Sequence, residues 1–197
     1  MSQPIILLDV DGVIADFRQL YVDCCNQANG TTFTRNDLGL VSSYDYKSAL
    51  KLTDEQMRAT WTLINEPGRA ASMKPLPGAI EGVQKLLRGN EVHFITSSPY
   101  TSPTWDYDRR EWLRELFGRD AASRVHFTAD KHLVFGHVFV DDRFEPVARW
   151  KRHHTSLDCV ALLWQDAPNL SNDELRAVTE CTTNWVDVGI WAGTAMT

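Results

Sequence analysis

Long apolar segments are missing from this sequence. No stretch approaches the roughly 18 consecutive apolar residues of a membrane span. The apolar run near the N-terminus is only five residues even when Pro4 is included, and no basic residue precedes it. We therefore expect a protein that has no signal peptide and does not interact with membranes.

Paired cysteines and an excess of positive charge are also missing. The cysteines are Cys24, Cys25, Cys159 and Cys181, which form no CxxC pair, and two adjacent cysteines rarely bond each other. This pattern is typical of reduced thiols in a cytoplasmic protein. The net charge of −6 argues against a nucleic acid polymer as the partner.

What the chain does have is a buried strand that ends in two acids. Its 197 residues are 43% hydrophobic, which supports one domain with a genuine core, or one domain carrying an insertion. The apolar run from Ile5 to Leu8 predicts a central strand of a parallel sheet. Asp9 and Asp11 follow it directly, with Gly12 supplying a tight turn. Ligands in open α/β sheets collect beyond the carboxyl ends of strands, so these acids predict a reaction site.

Strands and helices alternate along most of the chain. Further strands are predicted at residues 91–95, 125–128, 137–140 and 158–164, with a short extended segment at 185–188. Helices are predicted at residues 16–29, 78–88, 105–117 and 171–181. This alternation is typical of an α/β fold with a doubly wound parallel sheet, in which right-handed crossovers give the strand order 3-2-1-4-5. That order brings Asp9, Thr96 and Asp141 to the ends of neighbouring strands.

Strand patterns nearly vanish between Thr31 and Pro77. Short helical patterns around residues 36–40, 44–50 and 54–66 alternate with polar breaks, and Thr53 with Gln56 forms a capping box for the last of them. The segment is too long for an ordinary crossover connection. We therefore divide the chain into a core of residues 1–16 and 78–197 and a small helical cap insertion of residues 17–77.

Four acids collected at one edge of the sheet require a counter-charge. Two like charges about 4 Å apart repel by roughly 4 kcal/mol at an effective dielectric of 20. Asp9, Asp11, Asp141 and Asp142 offer only oxygen ligands, which favours Mg²⁺ as the cofactor. With Lys131 and the hydroxyl of Thr96 nearby, the set suits phosphoryl transfer. Asp9 could attack phosphorus to form an aspartyl-phosphate, and Asp11 could protonate the leaving hydroxyl and then activate water.

The spacing of these residues resembles that of the haloacid dehalogenase superfamily of phosphatases. The resemblance rests on DVDGV at 9–13, Thr96, Lys131 and the pair Asp141 and Asp142, and the insertion resembles a C1 cap. It implies that Asp9 is the nucleophile and Asp11 the acid/base. It also implies that Mg²⁺ is held by Asp9, the backbone carbonyl of Asp11 and an acid of the 141–142 pair.

A narrower resemblance is to the 5′(3′)-deoxyribonucleotidase family. It rests on DVDGVIADF, PGAIEGV, ITSSP, WDYDRREWLRELFG and VDDR, and covers about residues 5–145. It implies that Phe17 stacks on the base, that Arg109 binds the phosphate where the family often has lysine, and that Thr96 and Ser97 are phosphate-binding hydroxyls. The implied partner is a nucleoside monophosphate, and a homodimer is one assembly to test. His137 departs from the family pattern.

Several alternatives stay open from the sequence. The chain could be a phosphatase of the same superfamily for another small phosphomonoester, such as a sugar phosphate, or a binding module without catalysis. Phe17 could simply belong to the core. Tyr44, Tyr46 and Trp61 are candidates for base contacts, whereas the other six tryptophans are expected in the core. The basic stretch at residues 151–154 is expected to be a solvated loop.

Overall fold

The computed structural model describes residues 3–39, 45–99, 101–156, 159–164 and 178–194. In this part of the chain the strands form one parallel sheet in the order β3-β2-β1-β4-β5-β6. The strands are β1 (Ile5–Leu8), β2 (Glu91–Thr96), β3 (Val125–Phe127), β4 (Val138–Asp141), β5 (Val160–Leu163) and β6 (Glu180–Cys181). The predicted α/β fold and the order 3-2-1-4-5 are confirmed, and β6 extends the sheet by one strand.

The helices follow the chain between and beyond these strands. They are α1 (Phe17–Asn29), α2 (Tyr46–Ala49), α3 (Asp54–Ile64), α4 (Ala79–Leu87), α5 (Trp105–Phe117), α6 (Arg119–Ala122), α7 (Phe144–His153) and α8 (Trp185–Thr194). Single 3₁₀ turns occur at Arg35–Leu38, Ala70–Ser72 and Lys131–Leu133. The predicted capping box of Thr53 and Gln56 starts α3. Within the described residues, no helix is both long and apolar enough to cross a membrane.

Alternate side chains of each strand pack on opposite faces of the sheet, as the period of two requires. On one face, Ile6 and Leu8 of β1 join a large buried cluster that includes residues of α4, α5 and the insertion, α1 among them. On the other face, Leu7 joins a smaller cluster with Phe139 of β4 and Trp150 of α7. Both faces of β1 are covered by other elements, which explains why all four of its residues are apolar.

The insertion leaves and rejoins the core through two neighbouring arms. The backbone N–H of Asp16 donates to the carbonyl of Lys74 at 2.9 Å, and the N–H of Leu76 donates to the carbonyl of Ile14 at 2.7 Å. Asp16 also caps α1, because its carboxylate accepts from the N–H of Gln19 at 3.1 Å. The cap is therefore anchored immediately beyond the acids of the β1 end, and the division at residues 17–77 stays an interpretation.

Three predictions about the second half of the chain are wrong. The basic stretch at residues 151–154 was expected to be a solvated loop, but residues 151–153 form the last turn of α7, where basic side chains complement the negative end of the helix dipole. Cys181 ends β6 rather than a helix, because it pairs with Leu163 of β5. Residues 185–188 begin α8 rather than an extended segment, and the side chain of Asn184 accepts from the N–H of Val186 at 2.9 Å. Asp158 and most of the helix predicted at 171–181 lie outside the described residues.

Two smaller expectations concern cysteine and histidine. All four cysteines are free thiols, as predicted, and three of them are buried. The unusual His137 has a structural explanation. Its ring Nδ1 accepts from the backbone N–H of Ile5 at 2.9 Å, and the backbone N–H of His137 donates to the carbonyl of Ile5 at 2.8 Å. This pair of hydrogen bonds fixes the start of the β1–β4 contact.

Candidate active site

The loop that follows β1 presents its two acids through a tight backbone turn. The N–H of Asp9 still donates to the carbonyl of Val140 in β4, at 2.8 Å, so Asp9 stands at the end of the sheet. Gly12 then adopts a φ of +85°, which favours glycine. A Cβ at Gly12 would also lie 1.9 Å from a carboxylate oxygen of Asp142. The carboxylate of Asp142, which follows the neighbouring strand β4, therefore packs against this turn and leaves no room for a side chain at position 12.

Three of the four predicted acids meet at this point. Asp9, Asp141 and Asp142 each offer a carboxylate oxygen, and these oxygens lie within 4.8 Å of one another. Asp9 and Asp141 are 4% and 0% exposed. The Nζ of Lys131 lies between these two, 2.7 Å from Asp9 Oδ1 and 2.6 Å from Asp141 Oδ2. The sequence placed Lys131 near the acids, and the structure adds that it bridges two of them.

Burial and mutual repulsion set the charge balance of this cluster. Burial, followed by the neighbouring Asp141 carboxylate, holds the pKa of Asp9 well above its ordinary value, although Lys131 opposes this shift. The pKa of Lys131 is raised, because the attraction of Asp9 and Asp141 outweighs the effect of burial. One lysine therefore offsets only part of the negative charge, and a divalent cation would offset more.

Asp11 points away from this cluster toward a buried arginine. Its Oδ1 accepts from Nη2 of Arg109 at 2.5 Å, and the hydroxyl of Thr96 lies 3.5 Å from its Oδ2. Burial raises the pKa of Asp11, and Arg109 opposes this shift most strongly. The carboxylate of Asp11 is thus absent from the group of three acids found among the described residues.

The structure puts Arg109 in a different place from the one that the resemblance implied. Its side chain is fully buried beneath Asp11, between the rings of Trp105 and Trp112, with its guanidinium carbon 5.5 and 5.3 Å from their centroids. It does not reach the cavity wall described below, where the cationic side chains among the described residues are Lys131 and Arg143. A direct contact between Arg109 and phosphate is therefore not what this geometry favours.

A cavity of about 390 Å³ opens over the acids. Its floor includes Asp9, Asp11, Lys131, Thr96 and Ser97. Ser97 is exposed there, and its hydroxyl donates to the carbonyl of Thr128 at 3.1 Å. The volume lies in the range typical of small-molecule sites. All the predicted phosphate-binding groups except Arg109 therefore face one cavity.

Aromatic side chains form another part of the cavity lining, which we call the aromatic wall. Phe17 lies at the centre, with ring centroids 6.2 to 6.3 Å from those of Tyr46, Trp61 and Trp105. Tyr46 and Trp61 come from the insertion, as the sequence suggested, whereas Tyr44 lies outside the described residues. Phe17 is also buried in the main core, so both of its predicted roles are compatible with the structure.

Some wall residues escaped the sequence analysis. Trp105 was expected only in the core; it is 2% exposed, yet it borders the cavity. Ser98, Pro99 and Arg143 also line it. Ser98 and Pro99 belong to the quoted ITSSP segment and Arg143 to VDDR, so the motifs contained these residues without indicating which side chains turn inward.

Comparison with known proteins decides the family. The family model described as 5′ nucleotidase, deoxy (pyrimidine), cytosolic type C protein matches residues 3–188. The chain belongs to this family. It is a phosphomonoester hydrolase, as the resemblance implied.

Individual members of the 5′(3′)-deoxyribonucleotidase family agree with this assignment. A Bordetella bronchiseptica protein assigned as a 5′(3′)-deoxyribonucleotidase is 32% identical over 143 residues, covering 71% of this chain and 74% of that protein. The mitochondrial 5′(3′)-deoxyribonucleotidase of Homo sapiens is 27% identical over 158 residues, covering 74% of this chain and 67% of that protein. The fold also matches a haloacid dehalogenase-like hydrolase from Burkholderia xenovorans LB400, with a TM-score of 0.62 at 15% identity and full coverage of both chains.

The donor set at the end of β1 and β4 fits a divalent metal ion. Asp9, Asp141 and Asp142 supply carboxylate oxygens from the ends of two adjacent strands. Oxygen-only sets suit hard cations such as Mg²⁺, Ca²⁺ and Mn²⁺.

Proposed function

We propose that this protein is a Mg²⁺-dependent phosphatase that hydrolyses ribo- or deoxyribonucleoside monophosphates to a nucleoside and phosphate. One observation carries the proposal: a polar surface and an aromatic surface line the same cavity. Acids, Lys131 and hydroxyls suited to phosphate lie on its floor, and the rings of Phe17, Tyr46, Trp61 and Trp105 lie on its wall. A sugar phosphate would use the floor but would leave the aromatic wall without a role.

The chemistry proceeds in two displacements. In the first, a carboxylate oxygen of Asp9 attacks phosphorus and forms an aspartyl-phosphate, while the bond from phosphorus to the nucleoside oxygen breaks. That oxygen takes a proton from Asp11. In the second, water attacks the phosphorus, Asp11 accepts its proton, and Asp9 is released with inorganic phosphate.

Mg²⁺ is the cofactor in this proposal. Asp9, one or both of Asp141 and Asp142, and the backbone carbonyl of Asp11 would hold it. When bound, it neutralises the charge that accumulates on the phosphate oxygens. Lys131 supplies a fixed charge beside the attacking carboxylate, and Thr96 and Ser97 supply hydroxyl donors.

The surroundings of the cavity suggest what else the protein meets. A partly enclosed cavity of about 390 Å³ suits a mononucleotide better than a polymer. The four free thiols suit a reducing compartment, so we place the protein in the cytoplasm. A homodimer stays a prediction.

A panel of phosphomonoesters tests the proposed function. We expect Mg²⁺-dependent phosphate release from nucleoside monophosphates to exceed release from ribose 5-phosphate. A chelator should stop turnover and added Mg²⁺ should restore it, whereas Ca²⁺ should support turnover poorly because its coordination is looser. Preference for ribose 5-phosphate would instead favour a sugar phosphate phosphatase, and undiminished activity in the chelator would contradict the metal requirement.

Phe17 separates a nucleotidase from a general phosphatase. Stacking of a base on an aromatic ring is worth about 1–3 kcal/mol in single-stranded nucleic acid sites. Phe17→Ala should therefore lower kcat/KM for nucleoside monophosphates by roughly 5- to 150-fold. The loss on ribose 5-phosphate should be much smaller. Both rates and the Tm are measured on the same variant.

Phe17→Leu is the matched control, because it keeps an apolar side chain in the core and removes the ring. If stacking matters, this variant should keep most of its thermal stability and still lose activity selectively on nucleotides. Equal losses on both substrates, together with a marked fall in Tm for Phe17→Ala, would assign Phe17 to the core alone.

A further inference from the structure

Arg109 is the most deeply buried cation found in the described residues. It does not line the cavity floor, where the predicted phosphate-binding hydroxyls lie. Its side chain has no exposed surface, whereas that of Asp11 retains 19%. The rings of Trp105 and Trp112 lie within 5.5 Å of the guanidinium carbon and restrict its position. Trp112 is itself fixed, because its ring N–H donates to the carbonyl of Met73 at 2.8 Å.

The spacing of α5 creates this arrangement. Trp105, Arg109 and Trp112 stand at positions i, i+4 and i+7 of the helix, so they share one face. That face is buried against the arm that returns from the insertion, where Nη2 of Arg109 also lies 3.5 Å from the sulfur of Met73. The guanidinium is therefore held by packing and can deliver its Nη2 to only a small region, which Asp11 occupies.

The contact with Asp11 distinguishes its two carboxyl oxygens. Oδ1 accepts from Nη2 of Arg109 at 2.5 Å, a charge-assisted hydrogen bond. An oxygen that already accepts from a guanidinium cannot also carry a proton toward it, because arginine has no acceptor. The proton of a neutral Asp11 would therefore sit on Oδ2, whose neighbour is the hydroxyl of Thr96 at 3.5 Å.

We propose that Arg109 is a positioning residue that acts through Asp11, fixing Oδ1 so that Oδ2 is the oxygen that exchanges the proton with the leaving group. This inference rests on the proposed function, since it assumes that Asp11 is the acid. In the first displacement, the Oδ2–H bond breaks, the leaving oxygen gains that proton, and the electron pair stays on Oδ2. The resulting carboxylate is held by Arg109 until it takes a proton from the attacking water.

The dependence of the rate on the leaving group tests this role. A nucleoside hydroxyl needs protonation as it departs, whereas the nitrophenolate of p-nitrophenyl phosphate does not. Arg109→Gln should lower kcat/KM for nucleoside monophosphates by about 10²-fold, the range of general acid catalysis. The same variant should stay within about 3-fold of the wild type on p-nitrophenyl phosphate. A phosphate ligand would instead affect both substrates equally, since both carry the same phosphate.

Arg110→Gln is the control, because Arg110 is the next residue of α5, is exposed, and lies over the ring of Phe127. Both of its rates should match those of the wild type. Equal losses on both substrates in Arg109→Gln would overturn the inference and return Arg109 to phosphate binding. Failure of the proposed function looks different, because the wild type itself would then release no phosphate from nucleoside monophosphates.

A double-mutant cycle with Asp11→Asn provides a readout that a loss of folding alone cannot mimic. If Arg109 acts through Asp11, adding Arg109→Gln to Asp11→Asn should reduce kcat/KM by no more than about 3-fold further. In the single variant Arg109→Gln, the carboxylate of Asp11 loses its buried cationic partner, a change that can destabilise the fold. The double variant has no carboxylate at position 11, so its rate can still be compared with that of Asp11→Asn. A full additional 10²-fold loss would show that Arg109 acts independently of Asp11.

Discussion

Asp9→Asn is expected to lower turnover of every phosphomonoester by about 10⁴-fold or more, because asparagine cannot attack phosphorus. The protein should nevertheless fold. Burial and the Asp141 carboxylate raise the pKa of Asp9, so the folded state loses stability as the pH rises from the ordinary pKa of an aspartate toward this raised value. A neutral side chain of the same shape removes this penalty. We expect the Tm in the presence of a chelator to be equal to or higher than that of the wild type. Phosphate release and the Tm provide the two measurements.

Asp120→Asn is the matched control, because Asp120 is an exposed residue of α6 and should change neither quantity. Wild-type activity in Asp9→Asn would exclude Asp9 as the nucleophile. A large fall in its Tm would instead mean that the ion pair with Lys131 outweighs the repulsion between the acids.

Lys131→Met is expected to have the largest effect on stability. The change keeps the length of the side chain but leaves the carboxylates of Asp9 and Asp141 buried together without their cation. Breaking a buried ion pair by removing one partner costs about 3–5 kcal/mol. For a chain of this size, this corresponds to a fall in Tm of roughly 6–20 °C. Activity should fall by about 10²–10³-fold, since a fixed charge at the reacting phosphate is lost.

The stability measurement for Lys131→Met is best made in a chelator and then repeated with Mg²⁺. A divalent cation held by the same acids should restore part of the lost Tm, because it supplies the missing positive charge. Lys85→Met, on the exposed side of α4, is the control and should leave the Tm within about 2 °C of the wild type. A Tm for Lys131→Met equal to that of the wild type in the chelator would contradict the charge balance described here.

Local sequence patterns predicted the centre of the sheet well. The apolar run of β1 can only be accommodated where both faces are covered, and a right-handed crossover rule then fixes its neighbours. Asp9, Thr96 and Asp141 therefore met as expected. α5 was predicted for a similar reason, since its apolar residues recur with helical spacing and Gly118 ends it.

The C-terminal part was predicted poorly because distant contacts decide its structure. Trp185 packs against Gly82 of α4, where a Cβ would lie 2.2 Å from the indole, and this contact favours a helix over an alternating apolar pattern that resembles a strand. In the same way, Glu180 and Cys181 become a strand through pairing with β5. Neither partner is visible in the local sequence.

The orientation of Arg109 shows the same limit at the active site. A motif places the residue on α5 but does not say whether its side chain reaches forward to the phosphate or down to Asp11. The signal was nevertheless present, because a basic residue four positions after one tryptophan and three before another belongs to the buried face of the helix. Identifying Asp11 as its partner required the packing of Met73 and the two indoles.

The closed turn at Gly12 limits how this enzyme can be altered by directed evolution. Even alanine would place its Cβ 1.9 Å from Asp142 and would require a backbone conformation that L-residues rarely adopt. A library that varies the loop should therefore keep glycine at this position and introduce its diversity in the aromatic wall, at Tyr46 and Trp61. These side chains belong to the insertion, so new substrate preferences can be selected there without disturbing the carboxylates.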